Sequence, residues 1–237
     1  MATSIYDFPP FPGFPEEGLE FLRQLPENND RDWFEDRRVV YEEKVRFPLK
    51  CLVADVARRM KDVDLPLTGH PTRSRFRIYR DLRFTDDPRP YKENVGAVFD
   101  RSGEKKAEGA VYVHVEPGAS FLASGFYRPS VSYLKPLREK MATNPDAFSR
   151  LLDEMERRGL PVTSMDFELT GMPRGFSAYR DQKIASYLKW ESFVARRPVG
   201  DAELVGTALA ETVIEFAQAS KPLLKYVWDA EERSPDE

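Results

Sequence analysis

The chain has 237 residues, 32% of them charged, with a formal net charge of −4. That length can bury a sizeable core, and the acidic balance argues against bulk attraction to nucleic acid or anionic lipid. Cys51 is the only cysteine, so no internal disulfide can form and a reducing compartment is expected.

No apolar run approaches the ~18 residues of a membrane span. The start of the sequence lacks a basic flank followed by an apolar stretch. A cytoplasmic protein without membrane association is expected.

Residues 1–15 form an arm rich in Phe and Pro, extended because proline fixes φ and removes donors. Its aromatics are expected to lie in a groove of their own domain. Pro15-Glu16-Glu17 opens a helix with acids at its positive end. Asn28-Asn29-Asp30 is a capping cluster. Behind it, apolar residues from Trp33 to Met60 recur at three- and four-residue steps, giving one long helix or two, with Pro48 as kink or second start.

Four strands follow in expectation: 74–79, 94–99, 110–116 and 120–126, the last two joined as a hairpin across Pro117-Gly118. The charged stretch 101–108 reads as a loop. Residues 130–142 read as a helix, and Asn144-Pro145 starts another. Shorter expectations are a strand at 165–169, a loop at 171–175, a helix at 180–189, a strand at 190–195, a helix capped by Asp201 and a final turn or two at 221–228. Helices, then clustered strands, then helices again indicate α+β: a mostly antiparallel sheet of four to six strands packed against N-terminal and C-terminal helices. The domain layout expected is the arm at 1–15, a single domain at 16–228 and a disordered acidic tail at 229–237.

Residues 73–92 hold six Arg and one Lys against three Asp, a local +4 in an acidic protein. Strand alternation would put Arg73, Arg75 and Arg77 on one face, with Phe76 and Ile78 on the other. Like charges side by side are costly unless something negative answers them. Internal acids such as Asp81, Asp86, Asp87, Glu93 and Glu116 could do so. So could a ligand, because the planar guanidinium fork matches phosphate and carboxylate.

Arg75, Arg77 and Arg80 are therefore candidate ligand-binding residues. Arg174 joins them from the glycine-flanked loop Gly171-Met-Pro-Arg-Gly175. No glycine-rich phosphate loop of standard spacing occurs.

His114 and Glu116 share one face of a strand by period two and are candidates for acid–base catalysis. Their alternative is a hydrogen-bonded structural pair. Ser120 and Ser124, on the neighbouring strand, could border His114. With only two histidines in the chain, no metal site is expected. No cofactor can be named, and Cys51 on an apolar helical stripe reads as core.

Several motifs, in order along the chain, resemble one family. They are Asn28-Asn-Asp-Arg-Asp-Trp-Phe34, Arg77-Ile-Tyr-Arg-Asp-Leu-Arg-Phe84, Pro90-Tyr-Lys92, His114-Val-Glu-Pro-Gly118, Gly125-Phe-Tyr-Arg-Pro129, Pro173-Arg-Gly-Phe176 and Lys189-Trp-Glu-Ser-Phe-Val194. The chain resembles the domain of unknown function 2461 family from about Phe11 to Trp228. The resemblance implies a soluble single-domain protein of bacterial or fungal type. It brings no activity and no catalytic residue.

Three functions remain in competition. The first is a pocket on the sheet face for a phosphate- or carboxylate-bearing small molecule, with acid–base chemistry from His114 and Glu116. The second is a non-catalytic interaction module that docks a protein partner through the arm or the arginine strand. The third is a single-stranded RNA binder using aromatics beside cations, which the acidic total charge disfavours.

Overall fold

We describe residues 4–81, 83 and 87–231 of a computed structural model. The fold is α+β, with a five-stranded antiparallel sheet in the order β1-β2-β3-β5-β4 and helices on both sides of it in sequence. The strands are β1 (Val95–Asp100), β2 (Ala110–Val115), β3 (Phe121–Phe126), β4 (Val162–Thr163) and β5 (Phe193–Pro198). The chain divides into two compact units. The first comprises Met1–Ala107, Val111–Leu122 and Arg197–Phe216; the second comprises Glu108–Ala110, Ala123–Arg196 and Ala217–Glu237.

In the first unit, α1 (Glu16–Gln24) buries Leu19, Phe21 and Leu22. Asp30 caps α2 (Arg31–Asp36), its carboxylate accepting from the Trp33 N–H at 2.9 Å. A short α3 (Arg38–Val40) runs into a π-helical segment, Tyr41–Arg46, and then α4 (Phe47–Arg59). Pro48 explains the wide turn. It sits in the first turn of α4 without an N–H, and the Phe47 N–H bonds the Glu42 carbonyl five residues back.

The arm lies against α4. Phe11 and Phe14 are buried, the Phe11 N–H donates to Asp55, and Arg58 donates to the carbonyls of Ile5 and Phe8. At Gly13 (φ +86°) a Cβ would stand 2.0 Å from the Val205 carbonyl oxygen, so only glycine fits.

The β2–β3 hairpin follows its sequence pattern. Val111, Val113 and Val115 are buried, while Tyr112 and His114 point to the other face. Asp201 is the first residue of α8 (Asp201–Val205) and not its cap. The cap is Gly200, and the Asp201 carboxylate accepts instead from the Gly118 N–H at 2.8 Å and pairs with Arg23 at 3.0 Å.

The second unit contains α5 (Val131–Thr143), α6 (Pro145–Arg157), capped by the Asn144 side chain, and a one-turn α7 (Ala185–Leu188). The helix expected over 180–189 shrinks to α7, and the strand expected at 165–169 to a single bridge between Glu168 and Trp190. β4 pairs with β5 with Val162 opposite Ala195. Phe148 is the hub of the unit's aromatic core, touching Tyr187, Phe193 and Tyr226.

The last helix, α9 (Leu209–Glu231), runs straight through the region expected to form separate turns, with Pro222 inside it. It continues into the acidic stretch expected to fray. Residues 232–237 of that stretch lie outside the described residues. Among the described residues, no helix is long and apolar enough to cross a membrane.

Candidate functional site

The arginine-rich stretch does not form a regular strand. It runs antiparallel to the start of β1 through two isolated bridges, Arg75 with Ala97 and Tyr79 with Tyr91. Backbone bonds from Phe76 N–H to the Gly96 carbonyl and from Lys92 N–H to the Ile78 carbonyl hold it there. Alternation breaks between the bridges: Arg75 and Ile78 are buried, Phe76 and Arg77 exposed. Between the bridges, residues 76–78 face the longer segment 92–96, so the ladder is interrupted.

The β1–β2 loop is shaped by one buried carboxylate. Asp100 accepts N–H bonds from Ser102 (3.0 Å), Gly103 (2.5 Å), Lys106 (2.8 Å) and Ala107 (3.0 Å), plus the Ser102 hydroxyl. Within that wrap, Lys105 takes a left-handed conformation at φ 63°. Its Nζ donates to the Arg75 carbonyl at 2.6 Å and sits 5.0 Å from the centre of the Phe76 ring.

These three pieces enclose a cavity of about 650 Å³ within the first unit. The π-helical segment contributes Tyr41, Glu42 and Arg46. The arginine stretch contributes Arg73, Arg75, Phe76, Arg77, Ile78 and Tyr79, and the loop contributes Glu104, Lys105 and Lys106. Arg38 also lines it.

Some of the positive charge is answered internally. Arg46 pairs with Glu42 at 2.6 Å, Arg73 and Lys106 share Glu104 at 2.7 and 2.6 Å, and Arg38 pairs with Glu35. Arg75, Arg77 and Lys105 have no carboxylate partner within 4 Å among the described residues, although Arg77 acts on the Asp81 carboxylate and Glu42 acts on Arg75 at longer range.

Arg75 is 7% exposed, and its Nε donates to the Pro71 carbonyl at 2.6 Å. Neither of its terminal nitrogens has a hydrogen-bond acceptor among the described residues. Burial pushes the Arg75 pKa down, and nearby Arg46 adds to the effect. Burial likewise lowers Lys105, with Arg75, Lys92 and Arg77 repelling its charge, and lowers Lys92 beside Arg77 and Arg80. The Tyr41 phenol is pushed up to about 12 by burial.

The other candidate residues fall elsewhere. Arg80 is not part of the cavity lining; it pairs with Asp87 at 2.8 Å and donates to the Tyr91 carbonyl at 3.1 Å. Arg174 is an exposed residue of the second unit, outside the lining of this cavity. Asp86, considered above as an internal partner, lies outside the described residues.

His114 and Glu116 do meet each other. His114 Nε2 lies 2.7 Å from Glu116, its Nδ1 3.0 Å from the Tyr112 hydroxyl, and its ring stacks on Phe121 at 4.5 Å. Neither lines the cavity. The connection is indirect: Phe76 of the cavity wall meets Tyr112 edge to face at 5.8 Å, and Tyr112 holds His114. The Ser120 hydroxyl is taken up by the Glu116 backbone, and Ser124 is buried. Among the described residues, no group of three His, Cys, Asp or Glu is placed to hold a metal ion.

Tyr41, Arg46 and Lys105 were not anticipated as site residues. Tyr41 reads as part of a helical apolar stripe, Lys105 as loop, and Arg46 carries no signal of its own. The one local signal was Pro48, which demands an irregular turn just before it.

The fold and this site define an α+β protein with a cation-lined cavity. The chain belongs to the DUF2461 family: the family model, described as a conserved hypothetical protein, matches residues 17–226. No curated protein and no solved structure matches it.

Proposed function

We propose that the cavity beside the arginine stretch binds a small molecule bearing a phosphate or carboxylate group. The observation that carries this is a surplus of positive charge facing an open volume. Arg77 and Lys105 have no carboxylate partner among the described residues, and the terminal nitrogens of buried Arg75 have no acceptor there. The Arg75 terminal nitrogens are not among the polar atoms sealed from solvent without a partner, so they are open to the cavity, and an anionic guest there supplies both the charge and the acceptors. The volume suits a metabolite-sized ligand.

Catalysis by His114 and Glu116 would be a separate proposal, since Phe76 and Tyr112 lie on the path from the cavity to them. In the arm, Phe11 and Phe14 are buried against their own unit, while Tyr6 is exposed.

The test is calorimetric titration with pyrophosphate and with tricarballylate at constant ionic strength, on the wild type and on Arg77→Ala. Binding that falls at least tenfold in Arg77→Ala, with the melting temperature unchanged, supports the pocket. Absence of binding by either anion to the wild type rejects it.

A further inference from the structure

We infer that this cavity is a phosphate site, taking a ligand whose phosphate carries about two negative charges, and that the Tyr41 hydroxyl helps to set that preference. The inference rests on the anion-binding proposal and narrows it.

Charge is the first argument. Three cations, Arg75, Arg77 and Lys105, lack a carboxylate partner among the described residues. A single carboxylate would leave two of them unanswered. A phosphate monoester, at about −1.5 to −2 near neutral pH, leaves roughly one.

Donor capacity is the second argument. The terminal nitrogens of Arg75, the whole fork of Arg77 and the Lys105 protons not engaged by the Arg75 carbonyl together offer about eleven N–H donors, whereas a carboxylate accepts only about four bonds. The three terminal oxygens of a phosphate match the supply better. These donors come from two elements, the arginine stretch and the β1–β2 loop, and the π-helical segment adds a third.

The third argument is Tyr41. It is 6% exposed, lines the cavity, and its hydroxyl makes no hydrogen bond to any described residue. It keeps its proton through the physiological range and so is a donor to an anion, not a competitor for the cations. The π-helical turn, an arrangement common at functional sites, is what holds Tyr41 among the cavity-lining residues together with Arg46.

The test pairs phosphates with carboxylates of similar shape or charge: phenyl phosphate with benzoate, and pyrophosphate with tricarballylate. Each is titrated calorimetrically at constant ionic strength into the wild type and into Tyr41→Phe, which keeps the ring packed against Phe21 and Phe34. Each phosphate should bind at least tenfold more tightly than its carboxylate partner. Tyr41→Phe should weaken pyrophosphate at least fivefold while leaving tricarballylate unchanged.

Carboxylates that bind as tightly as their phosphate partners would overturn the phosphate assignment and leave the anion pocket standing. An equal loss of both anions in Tyr41→Phe would overturn the role of the hydroxyl. Failure of all four probes to bind the wild type would overturn the pocket together with this assignment.

Discussion

The Nζ of Lys105 donates to the backbone carbonyl of Arg75 at 2.6 Å, and the Lys105 backbone is itself left-handed at φ 63°. A non-glycine residue in that region costs about 1 kcal/mol or more, while a partly buried hydrogen bond of this kind contributes about 0.5–1.5 kcal/mol. The two nearly cancel. Lys105→Gly should therefore leave stability within about 1 kcal/mol of wild type, since it relieves the strain as it removes the bond. It should weaken pyrophosphate binding at least fivefold, because one of the three cavity cations without a carboxylate in ion-pair contact is gone. Denaturant melts and titration on the same sample check both halves.

Asp100→Asn should be severe. The amide must present its NH₂ where one carboxylate oxygen now accepts N–H groups from either Ser102 and Gly103 or Lys106 and Ala107. Two buried donors then face a third, at an expected cost of about 3 kcal/mol. The loop carrying Lys105 loses its template, so anion binding should fall with stability. Urea denaturation gives the first number and calorimetry the second.

Asn29, between α1 and α2, acts far along the chain. Its amide donates to the Tyr91 carbonyl at 3.0 Å and accepts from the Tyr91 N–H at 3.0 Å, as a neighbouring strand would. Tyr91 in turn stacks on Phe34 at 4.0 Å. Asn29→Ala removes both bonds and should cost about 2 kcal/mol. The expected signature in denaturant melts is a lower midpoint with an unchanged slope.

The buried phenols set an alkaline limit. Tyr41 and Tyr112 are each pushed up to about 12 by burial, from an ordinary value near 10. An acid whose folded pKa is raised holds its proton more tightly in the native state. The stability this provides is intact below about pH 10 and is lost as pH rises toward 12. In a phenolate absorbance titration, Tyr41→Phe should leave the step near pH 10 unchanged and remove amplitude only from the late step. Loss of amplitude near pH 10 would mean that the Tyr41 phenol is accessible to water.

The sequence was most legible where one side chain decides one local feature. Val111, Val113 and Val115 alternate because a single face of β2 is buried, and Asn144-Pro145 starts α6 because cap and first-turn geometry are both met at once. Arg75 and Arg77 were legible as candidates from charge alone, and both line the cavity. The strand drawn over 74–79 was not secured by its alternation, because the ladder depends on its partner, and between the two bridges residues 76–78 face the longer segment 92–96. Asp201 has the chemistry of a helix cap, yet its carboxylate serves Gly118 and Arg23, remote residues that no local pattern reveals. Tyr41 and Arg46 stayed hidden because a helical period assigns them to a regular face, and the change of register is a backbone property without its own residue code.

That register change separates architecture from recognition. A π-helical turn amounts to an α-helix with one residue to spare, so removing a single codon between Tyr41 and Arg46 would let the segment relax to ordinary pitch. Each residue turns an α-helix by about 100°, so such a deletion would swing one end of the segment out of line with the other. Helical content would survive while Tyr41 and Arg46 ceased to line one cavity, so the pocket can be lost without losing the scaffold.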